Sequence, residues 1–210
     1  MKITKFGHAC FIAEQDGESL IVDPGEYSLD LVIPENVVCI VVTHEHADHV
    51  SKEILQSIVD RNPRASIFAH QDVIAKLDGL NTQVAEAGDK LAVGNFSLEF
   101  FGGQHAIIAK EWPIFANLGV MINNKLYYPG DSFTVPDKNV ELLALPISAP
   151  WLKISESMDF LRTVRPKFAF PTHDAILSDI GKAMIDRMMS TTAQNVGTTY
   201  QRIDDTPLEA

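Results

Sequence analysis

Four side chains that can bind a metal ion fall within six consecutive residues of this chain. They are His44, His46, Asp48 and His49, in the run Thr-His-Glu-His-Ala-Asp-His-Val. Three imidazoles and one carboxylate form a ligand set that suits zinc and other divalent ions of intermediate hardness. This stretch therefore predicts a metal site.

The residues on either side of this cluster predict a strand before it and a helix after it. Residues 37–42 are an unbroken apolar run rich in valine, which is typical of a strand buried on both faces. Side chains alternate along an extended segment, so His44 and His46 are expected to point the same way. Residues 51–60 carry apolar side chains at helical spacing, so the last two members of the cluster lie where the chain turns into a helix.

Three later segments each predict a strand that ends close to a histidine or an aspartate. The predicted strand at residues 96–101 leads to His105, the predicted hairpin at residues 118–128 leads to Asp131, and the predicted strand at residues 167–170 leads to His173. Loops at the ends of a rigid sheet are where binding residues concentrate. We therefore expect these three side chains to join the first four in one site.

The order of these residues resembles the metallo-β-lactamase superfamily of metal-dependent hydrolases. The motif His-x-His-x-Asp-His is followed in order by a histidine, an aspartate and a histidine. The Leu-Ile-Val-Asp-Pro-Gly run that contains Asp23 is similar to the first motif of the superfamily, and the resemblance covers roughly residues 2–175. The Phe-Gly-His-Ala-Cys-Phe run around His8 and the Pro-Thr-His-Asp turn are most similar to the compact branch that includes the ascorbate phosphate lactonases.

The resemblance implies a fold and a set of roles. The fold is an α/β four-layer αββα sandwich, in which two stacked sheets are covered by helices. The implied ligands are His44, His46 and His105 for one divalent ion, Asp48, His49 and His173 for the other, and Asp131 as a bridge. Two ions about 3.5 to 4 Å apart activate a bridging water and polarise a carbonyl or phosphoryl oxygen, so the implied reaction is hydrolysis. Asp48 is also predicted to be catalytic, because it is placed to accept a hydrogen bond from the hydroxide.

Three further residues each have two interpretations. Asp23 either supports a ligating imidazole, whose second ring nitrogen needs a partner, or forms an Asp-Pro-Gly turn. His8 either reaches the pocket and contacts the substrate or is a hydrogen-bonded structural histidine. His70 is predicted to cap a helix or to be solvated, rather than to bind metal.

Three aromatic residues are candidates for the wall of a substrate pocket. Trp112, Phe133 and Trp151 follow predicted strand ends on the metal side, and the alternative is that they are core or interface residues. The expected substrate is a small ester, lactone or phosphodiester. Zn²⁺ is the first candidate for both ions because the site is rich in imidazole, and Mn²⁺ and Fe²⁺ also suit these ligand types.

Two other functions on the same scaffold stay open. An iron-containing redox or oxygen-reducing protein is disfavoured, because the related diiron proteins carry Glu where this chain has His46. An RNA-processing nuclease is disfavoured by the 17 basic and 28 acidic residues, since their net charge of −11 leaves no basic track for a phosphate backbone. The expected partner is a small molecule rather than nucleic acid, and a homo-oligomer stays open.

Length and composition fit a single domain over residues 1–210. The chain is 46% hydrophobic and of a size that buries roughly 70% of its unfolded surface. No apolar run reaches the roughly 18 residues of a membrane span, and the N-terminus lacks the pattern of a signal peptide, so no membrane contact and a cytoplasmic location are expected. Cys10 and Cys39 lie in apolar strand contexts and are predicted to be buried thiols rather than a disulfide.

Helical spacing predicts four helices, over residues 51–60, 71–77, 156–164 and 179–189. In the last of them Ile180, Met184 and Met188 share one apolar stripe. Residues 191–210 are weakly patterned, so this tail is expected to pack only partly.

Overall fold

The computed structural model describes residues 1–28, 30–203 and 206–209. In chain order its elements are β1 Lys2–Phe6, β2 Cys10–Gln15, β3 Glu18–Val22, β4 Val37–Val42, α1 Lys52–Arg61, β5 Ser66–Ala69, α2 Gln71–Ile74, β6 Thr82–Val84, β7 Lys90–Val93, β8 Phe96–Gly102, β9 Leu118–Ile122, β10 Leu126–Tyr128, β11 Leu142–Pro146, α3 Ile154–Val164, β12 Phe168–Thr172, α4 Asp179–Asn195, β13 Thr199–Tyr200 and β14 Leu208–Glu209.

Two mixed sheets of seven described strands form the centre of the molecule. Their orders are β14-β1-β2-β3-β4-β5-β6 and β13-β12-β11-β10-β9-β8-β7. The strands from β3 to β6 run parallel in the first sheet, and those from β10 to β13 run parallel in the second. Helices cover the outer face of each sheet. The predicted αββα sandwich is confirmed.

The side chains of β4 show why the layers stack in this order. Cys39 and Val41 face the second sheet, whereas Ile40 and Val42 face α1 and pack near Leu55. All of these side chains are fully buried. The prediction of a strand buried on both faces is confirmed, and each such side chain contributes roughly 1.5 to 3 kcal/mol by its burial.

The outer face of the second sheet is covered by α3 and α4, and here the predicted stripe is wrong. Ile180 and Met184 are 85% and 58% exposed, while the buried stripe of α4 is Ile185, Met189 and Ala193. Both stripes have the same spacing of four residues. The second stripe faces the sheet, and α4 continues to residue 195, beyond the predicted end at residue 189.

Two helix boundaries differ from prediction for local reasons. α2 ends three residues early, because the backbone N–H groups of Lys76 and Leu77 donate to carbonyls three residues back, at 3.0 and 2.9 Å, and tighten the chain into a turn. α3 begins two residues early, because the side chain of Glu156 accepts a hydrogen bond from the backbone N–H of Lys153 at 2.6 Å and caps the helix.

The described part of the tail packs partly, as predicted, and it also adds two short strands. Beyond α4 it forms β13, which pairs with β12, and β14, which pairs with β1. Residues 204, 205 and 210 lie outside the described part. Arg202 forms an ion pair with Asp174 and another with Asp186 at 2.6 Å. The tail therefore holds the loop that follows β12.

Lys5 contacts the same loop from β1. Its ammonium lies 2.9 Å from Asp174, and both side chains are only 1% exposed. Lys5 also donates to the carbonyl of Gly7 at 2.6 Å. The pair thus joins two neighbouring loops, those after β1 and after β12, in a buried contact.

Replacing Lys5 by Met should lower the free energy of unfolding by about 3 kcal/mol, because it leaves the buried carboxylate of Asp174 with less compensation. The control is Lys2→Met on the same strand, since the pair of Lys2 with Glu14 has side chains 41% and 39% exposed. That exposed pair should contribute less than about 1 kcal/mol. Urea denaturation measures both variants, and equal losses would contradict the assigned strength of the buried pair.

Cys10 and Cys39 are both buried free thiols, as predicted. They lie in different core clusters, and burial raises the pKa of the Cys10 thiol to about 12. Among the described helices, none is both long and apolar enough to cross a membrane.

Candidate metal centre

The seven candidate ligands meet at one end of the sandwich, where strand ends deliver them. His44 follows β4, His105 follows β8, Asp131 follows β10 and His173 follows β12. The remaining three lie in the loop between β4 and α1. Ligand atoms within each of the groups described below lie within 4.8 Å of one another.

The first cluster consists of His44, His46, His105 and Asp131. Nε2 of His44 lies 3.1 Å from Nδ1 of His46 and 3.8 Å from Oδ2 of Asp131. Nε2 of His105 lies 3.2 Å from the same Oδ2. Three ring nitrogens and one carboxylate oxygen thus face a common point, which is the arrangement expected of a first ion's ligands.

The second cluster consists of His49, Asp131 and His173, and Asp48 forms a neighbouring group with His8 and the same His173. Nε2 of His173 lies 2.5 Å from Oδ1 of Asp131 and 3.0 Å from Nε2 of His49. Oδ2 of Asp48 lies 3.5 Å from Nε2 of His49. Asp131 is therefore shared, with one oxygen facing each cluster.

Four of the rings are held from outside through Nδ1. The partners are the hydroxyl of Thr43 for His44 at 3.0 Å, the carboxylate of Asp23 for His49 at 2.6 Å, the carbonyl of Ala106 for His105 at 2.5 Å and the hydroxyl of Thr172 for His173 at 3.1 Å. Fixing one ring nitrogen leaves the other free to bind a cation and sets the ring's orientation. The residues present therefore fit divalent metal ions.

Asp23 lies where a supporting residue should lie. It is fully buried, and besides His49 it accepts hydrogen bonds from the backbone N–H and the hydroxyl of Thr43, both at 2.7 Å. The Asp-Pro-Gly turn is also present, since the backbone N–H of Gly25 donates to the carbonyl of Asp23 at 2.8 Å. Glycine is required there because a Cβ on Gly25 would lie 2.1 Å from the carbonyl carbon of Asp48. Asp23 thus links the strand end to the ring of His49.

The sequence analysis missed the two threonines that support the rings. Thr43 precedes His44 and Thr172 precedes His173, and both threonines are fully buried. The signal was present in the sequence, since the dipeptide Thr-His occurs at both of these strand ends. A hydroxyl next to a ligating ring is a common outer partner.

The electrostatics of the centre are dominated by its shared carboxylate. Burial by itself would raise the pKa of Asp131, but the surrounding rings of His173, His49 and His44 hold that pKa well below its usual range. Burial would lower the pKa of His49, but Asp131 and Asp23 raise it well above the ordinary value. Burial and the neighbouring rings lower the pKa of His44. The pKa values of these two neighbouring histidines are thus shifted in opposite directions.

As the pH is lowered, metal affinity should decrease more steeply for an ion held by His49 than for one held by His44. His49 must lose its proton to bind an ion, whereas His44 is already neutral because its pKa is lowered. Each proton released raises the dissociation constant about tenfold for each unit by which the pH falls. Competition with a chromophoric chelator between about pH 6 and 8 measures both affinities. Two affinities that do not change over this range would contradict the protonation of His49.

His8 lies against the second cluster rather than apart from it. It is 2% exposed, its Nε2 lies 3.5 Å from Oδ2 of Asp48, and its ring meets that of His173 edge to face at 4.8 Å. Burial lowers the pKa of His8, and its hydrogen bond with Asp48 opposes this. Among the described residues, Nδ1 of His8 has no hydrogen-bond partner.

A cavity of about 320 Å³ opens beside the two clusters. His8, His46, Asp48 and Asp131 line its base, and Tyr27, Ile108, Trp112, Trp151 and Ile176 are among the residues of its walls. Trp112 is 56% exposed at the mouth. The sequence analysis missed Tyr27, Ile108 and Ile176, because loop residues carry no periodic signal.

Phe133 is not among the residues that line this cavity, and its packing fits the alternative of a core residue. Its ring packs against Trp151 at 5.2 Å and against Phe160 at 5.3 Å, within the cluster under α3. The reason is that α3 presents Phe160 to this loop, so Phe133 is drawn inward and supports Trp151 from behind.

His70 caps α2, as predicted. Its Nδ1 accepts a hydrogen bond from the backbone N–H of Asp72 at 3.3 Å. It belongs to none of the described groups of candidate metal ligands.

Two stacked mixed sheets with a histidine and aspartate centre at their strand ends define a metallo-β-lactamase-like fold. A family model described as Beta-lactamase superfamily domain matches residues 2–173. The chain belongs to that superfamily.

Similar proteins agree with this assignment. Protein Rv0786c of Mycobacterium tuberculosis is 36% identical over 183 residues, which cover 85% of this chain and 86% of that protein. A UPF0173 metal-dependent hydrolase of Carboxydothermus hydrogenoformans is 25% identical over 87% of this chain and 90% of its own length. The structure of the metallo-beta-lactamase fold protein YhfI from Bacillus subtilis superimposes with a TM-score of 0.75 at 16% identity, covering 100% of this chain and 98% of that one.

Proposed function

We propose that this protein, a metal-dependent hydrolase, holds two divalent ions between its clusters and cleaves a small ester, lactone or phosphodiester bond. The observation that supports this most directly is Asp131, whose Oδ2 faces the first cluster and whose Oδ1 faces the second. Two ions bound there would lower the pKa of a water between them and polarise the carbonyl or phosphoryl oxygen under attack.

Asp48 is the residue we assign to orienting the attacking water. Its side chain is 27% exposed and lines the cavity, whereas that of Asp131 is 4% exposed. Burial would raise the pKa of Asp48, but hydrogen bonds with His49 and His8 lower it, so the carboxylate is ionised at neutral pH. An ionised carboxylate at the base of the cavity can accept a hydrogen bond from water and direct its lone pair at the substrate.

His8 is assigned to substrate binding. Its ring lies at the base of the cavity, and its Nδ1 is a buried polar atom that lacks a partner among the described residues. An unpaired buried polar atom is costly, so a polar group of the substrate would gain by pairing with it.

The walls of the cavity favour a small substrate with an apolar portion. Trp112, Trp151, Ile108 and Ile176 are among the apolar lining residues, and none of the described lining residues is Lys or Arg. A phosphate backbone therefore finds no cationic partner at this cavity, in a chain of net charge −11. This favours a small molecule over RNA and makes the nuclease the weaker alternative.

Zn²⁺ is the ion we propose first. The proposed ligands are five histidines and two aspartates, all of which belong to the described groups, and imidazole-rich sites with few carboxylates suit zinc. Mn²⁺ and Fe²⁺ accept the same ligand types, so they are the alternatives to be compared with zinc in the same assay.

A substrate panel tests the proposed function. Protein stripped with a chelator and then reloaded with Zn²⁺, Mn²⁺ or Fe²⁺ is assayed on small lactones, carboxylic esters, thioesters and phosphodiesters. We expect turnover of at least one class, loss of that turnover on chelation and its return on reloading. We also expect no binding to tRNA at physiological salt.

Three results would contradict the proposal. Hydrolysis that survives complete metal removal would exclude the metal-dependent mechanism. Oxygen consumption by the iron-loaded protein without hydrolysis of any substrate class would favour the redox alternative. Tight tRNA binding that weakens steeply with salt would favour the nuclease.

A further inference from the structure

Trp151 contacts the one carboxylate that both clusters share. Its indole N–H donates a hydrogen bond to Oδ2 of Asp131 at 2.6 Å. This oxygen is the one that faces the first cluster. The tryptophan is therefore more than a part of the cavity wall, because it bonds to a candidate ligand.

The loop that carries Trp151 is fixed at both ends. It connects β11 to α3, and the hydroxyl of Ser157 donates to the carbonyl of Pro146 at 2.7 Å across its base. The backbone N–H of Ile147 donates to the carbonyl of Thr172 at 3.1 Å. The indole is thus presented from a firmly tied loop.

Packing holds the indole ring in the same place. The ring lies 5.2 Å from that of Phe133, which supports it from behind, and its other neighbours are His105 at 6.0 Å and His173 at 6.3 Å. His105 belongs to the first cluster and His173 to the second, so the indole lies between the two groups of ligands.

Asp131 needs such a partner because its backbone contacts do not fix its carboxylate. Its N–H donates to the side chain of Asn117 at 2.9 Å and its carbonyl accepts from Ala106 at 2.8 Å, but both contacts leave the carboxylate free to rotate. A carboxylate oxygen can accept two hydrogen bonds or ligate and accept one. The bond from Trp151 occupies one site of Oδ2 and leaves the other toward the first cluster.

We propose that Trp151 is a positioning residue for Asp131, whose indole N–H holds the carboxylate with one oxygen toward each cluster and so sets the affinity for the ion of the first cluster. The proposal rests on the two-ion function proposed above. Outer partners of metal ligands typically contribute 10- to 100-fold in metal affinity, roughly the effect expected here.

Trp151→Phe tests this, because it keeps an aromatic ring against Phe133 and removes the N–H. In chelator competition, the affinity for the ion of the first cluster should be reduced roughly 10- to 100-fold. The control is Trp112→Phe, which replaces the other of the chain's two tryptophans, a residue exposed at the cavity mouth. It should bind both ions with the affinity of the parent protein.

A second measurement does not depend on the fold of the Trp151 variant. In Trp112→Phe protein labelled with ¹⁵N-tryptophan, Trp151 supplies the single indole N–H signal. A buried hydrogen bond to a carboxylate should shift that signal downfield and slow its exchange with water, and adding Zn²⁺ should shift it again.

The outcomes separate this proposal from the proposed function. Parent protein that binds fewer than two ions would contradict the two-ion function. Parent protein that binds two ions, with unchanged affinities in Trp151→Phe, would overturn the positioning role and leave that function standing. An indole N–H that exchanges rapidly and does not respond to Zn²⁺ would overturn the positioning role in the same way.

Discussion

Asp48→Asn should lower kcat/KM of the metal-loaded enzyme at least about 100-fold on whichever substrate is found. Asparagine is nearly the same size, so it preserves the loop between β4 and α1 while removing the negative charge. The amide cannot ligate a cation as strongly or take a proton from water. Circular dichroism and the thermal midpoint should be close to those of the parent protein.

His70→Gln is the control for that variant. This histidine caps α2 and belongs to none of the described groups of candidate ligands. Its replacement should leave kcat and KM unchanged within a factor of about two, since a lost surface cap costs only about 1 kcal/mol of stability. Full activity in Asp48→Asn, or equal losses in the two variants, would show that the site is misplaced.

Asp131→Asn should weaken binding of both ions at least about 100-fold, which exceeds the usual effect of an outer partner because a direct ligand is lost. Asp131 is shared by the first and second clusters, so removing its charge affects both. Asp48→Asn should weaken mainly one ion, because Asp48 lies beside His49 and His8 in the second cluster's neighbourhood. Isothermal titration with Zn²⁺ measures the two affinities.

The control for that comparison is Asp159→Asn on α3, whose side chain is 74% exposed and pairs with Arg162 on the surface. It removes the same charge far from the candidate ligands and should not change either affinity. If Asp131→Asn lost only one ion, the carboxylate would belong to one cluster and the bridging role would be wrong.

The positions of the candidate ligands at strand ends were predictable, because the apolar runs that form those buried strands each lead to a histidine or an aspartate. The run at residues 37–42 is apolar enough to be buried on both faces, and it leads directly to His44 and His46. The same holds for the strand before His173. Where a buried strand ends in a polar residue, the sheet places that residue at its edge.

The contacts between loops could not be predicted, because they depend on which loops become neighbours. The bond from Trp151 to Asp131 joins residues twenty positions apart in separate loops. The inward packing of Phe133 depends on the position of α3. Sequence periodicity describes single elements and carries no information about such pairs.

The tail shows a different limit. Neither Arg202 nor the short strand β14 belongs to a periodic pattern. Arg202 nevertheless forms an ion pair with Asp174, and β14 pairs with β1. Two-residue strands and single ion pairs are stabilised by the surface they meet rather than by their own sequence. The described residues of the tail pack partly, as expected, but these particular contacts could not be predicted.

The metal content of the protein tests the central claim most directly. Protein equilibrated with excess Zn²⁺, freed of unbound metal and analysed by mass spectrometry should contain about two ions per chain, because one carboxylate serves two groups of histidines. A firm ratio of one, unchanged as the zinc concentration is raised, would contradict the dinuclear centre.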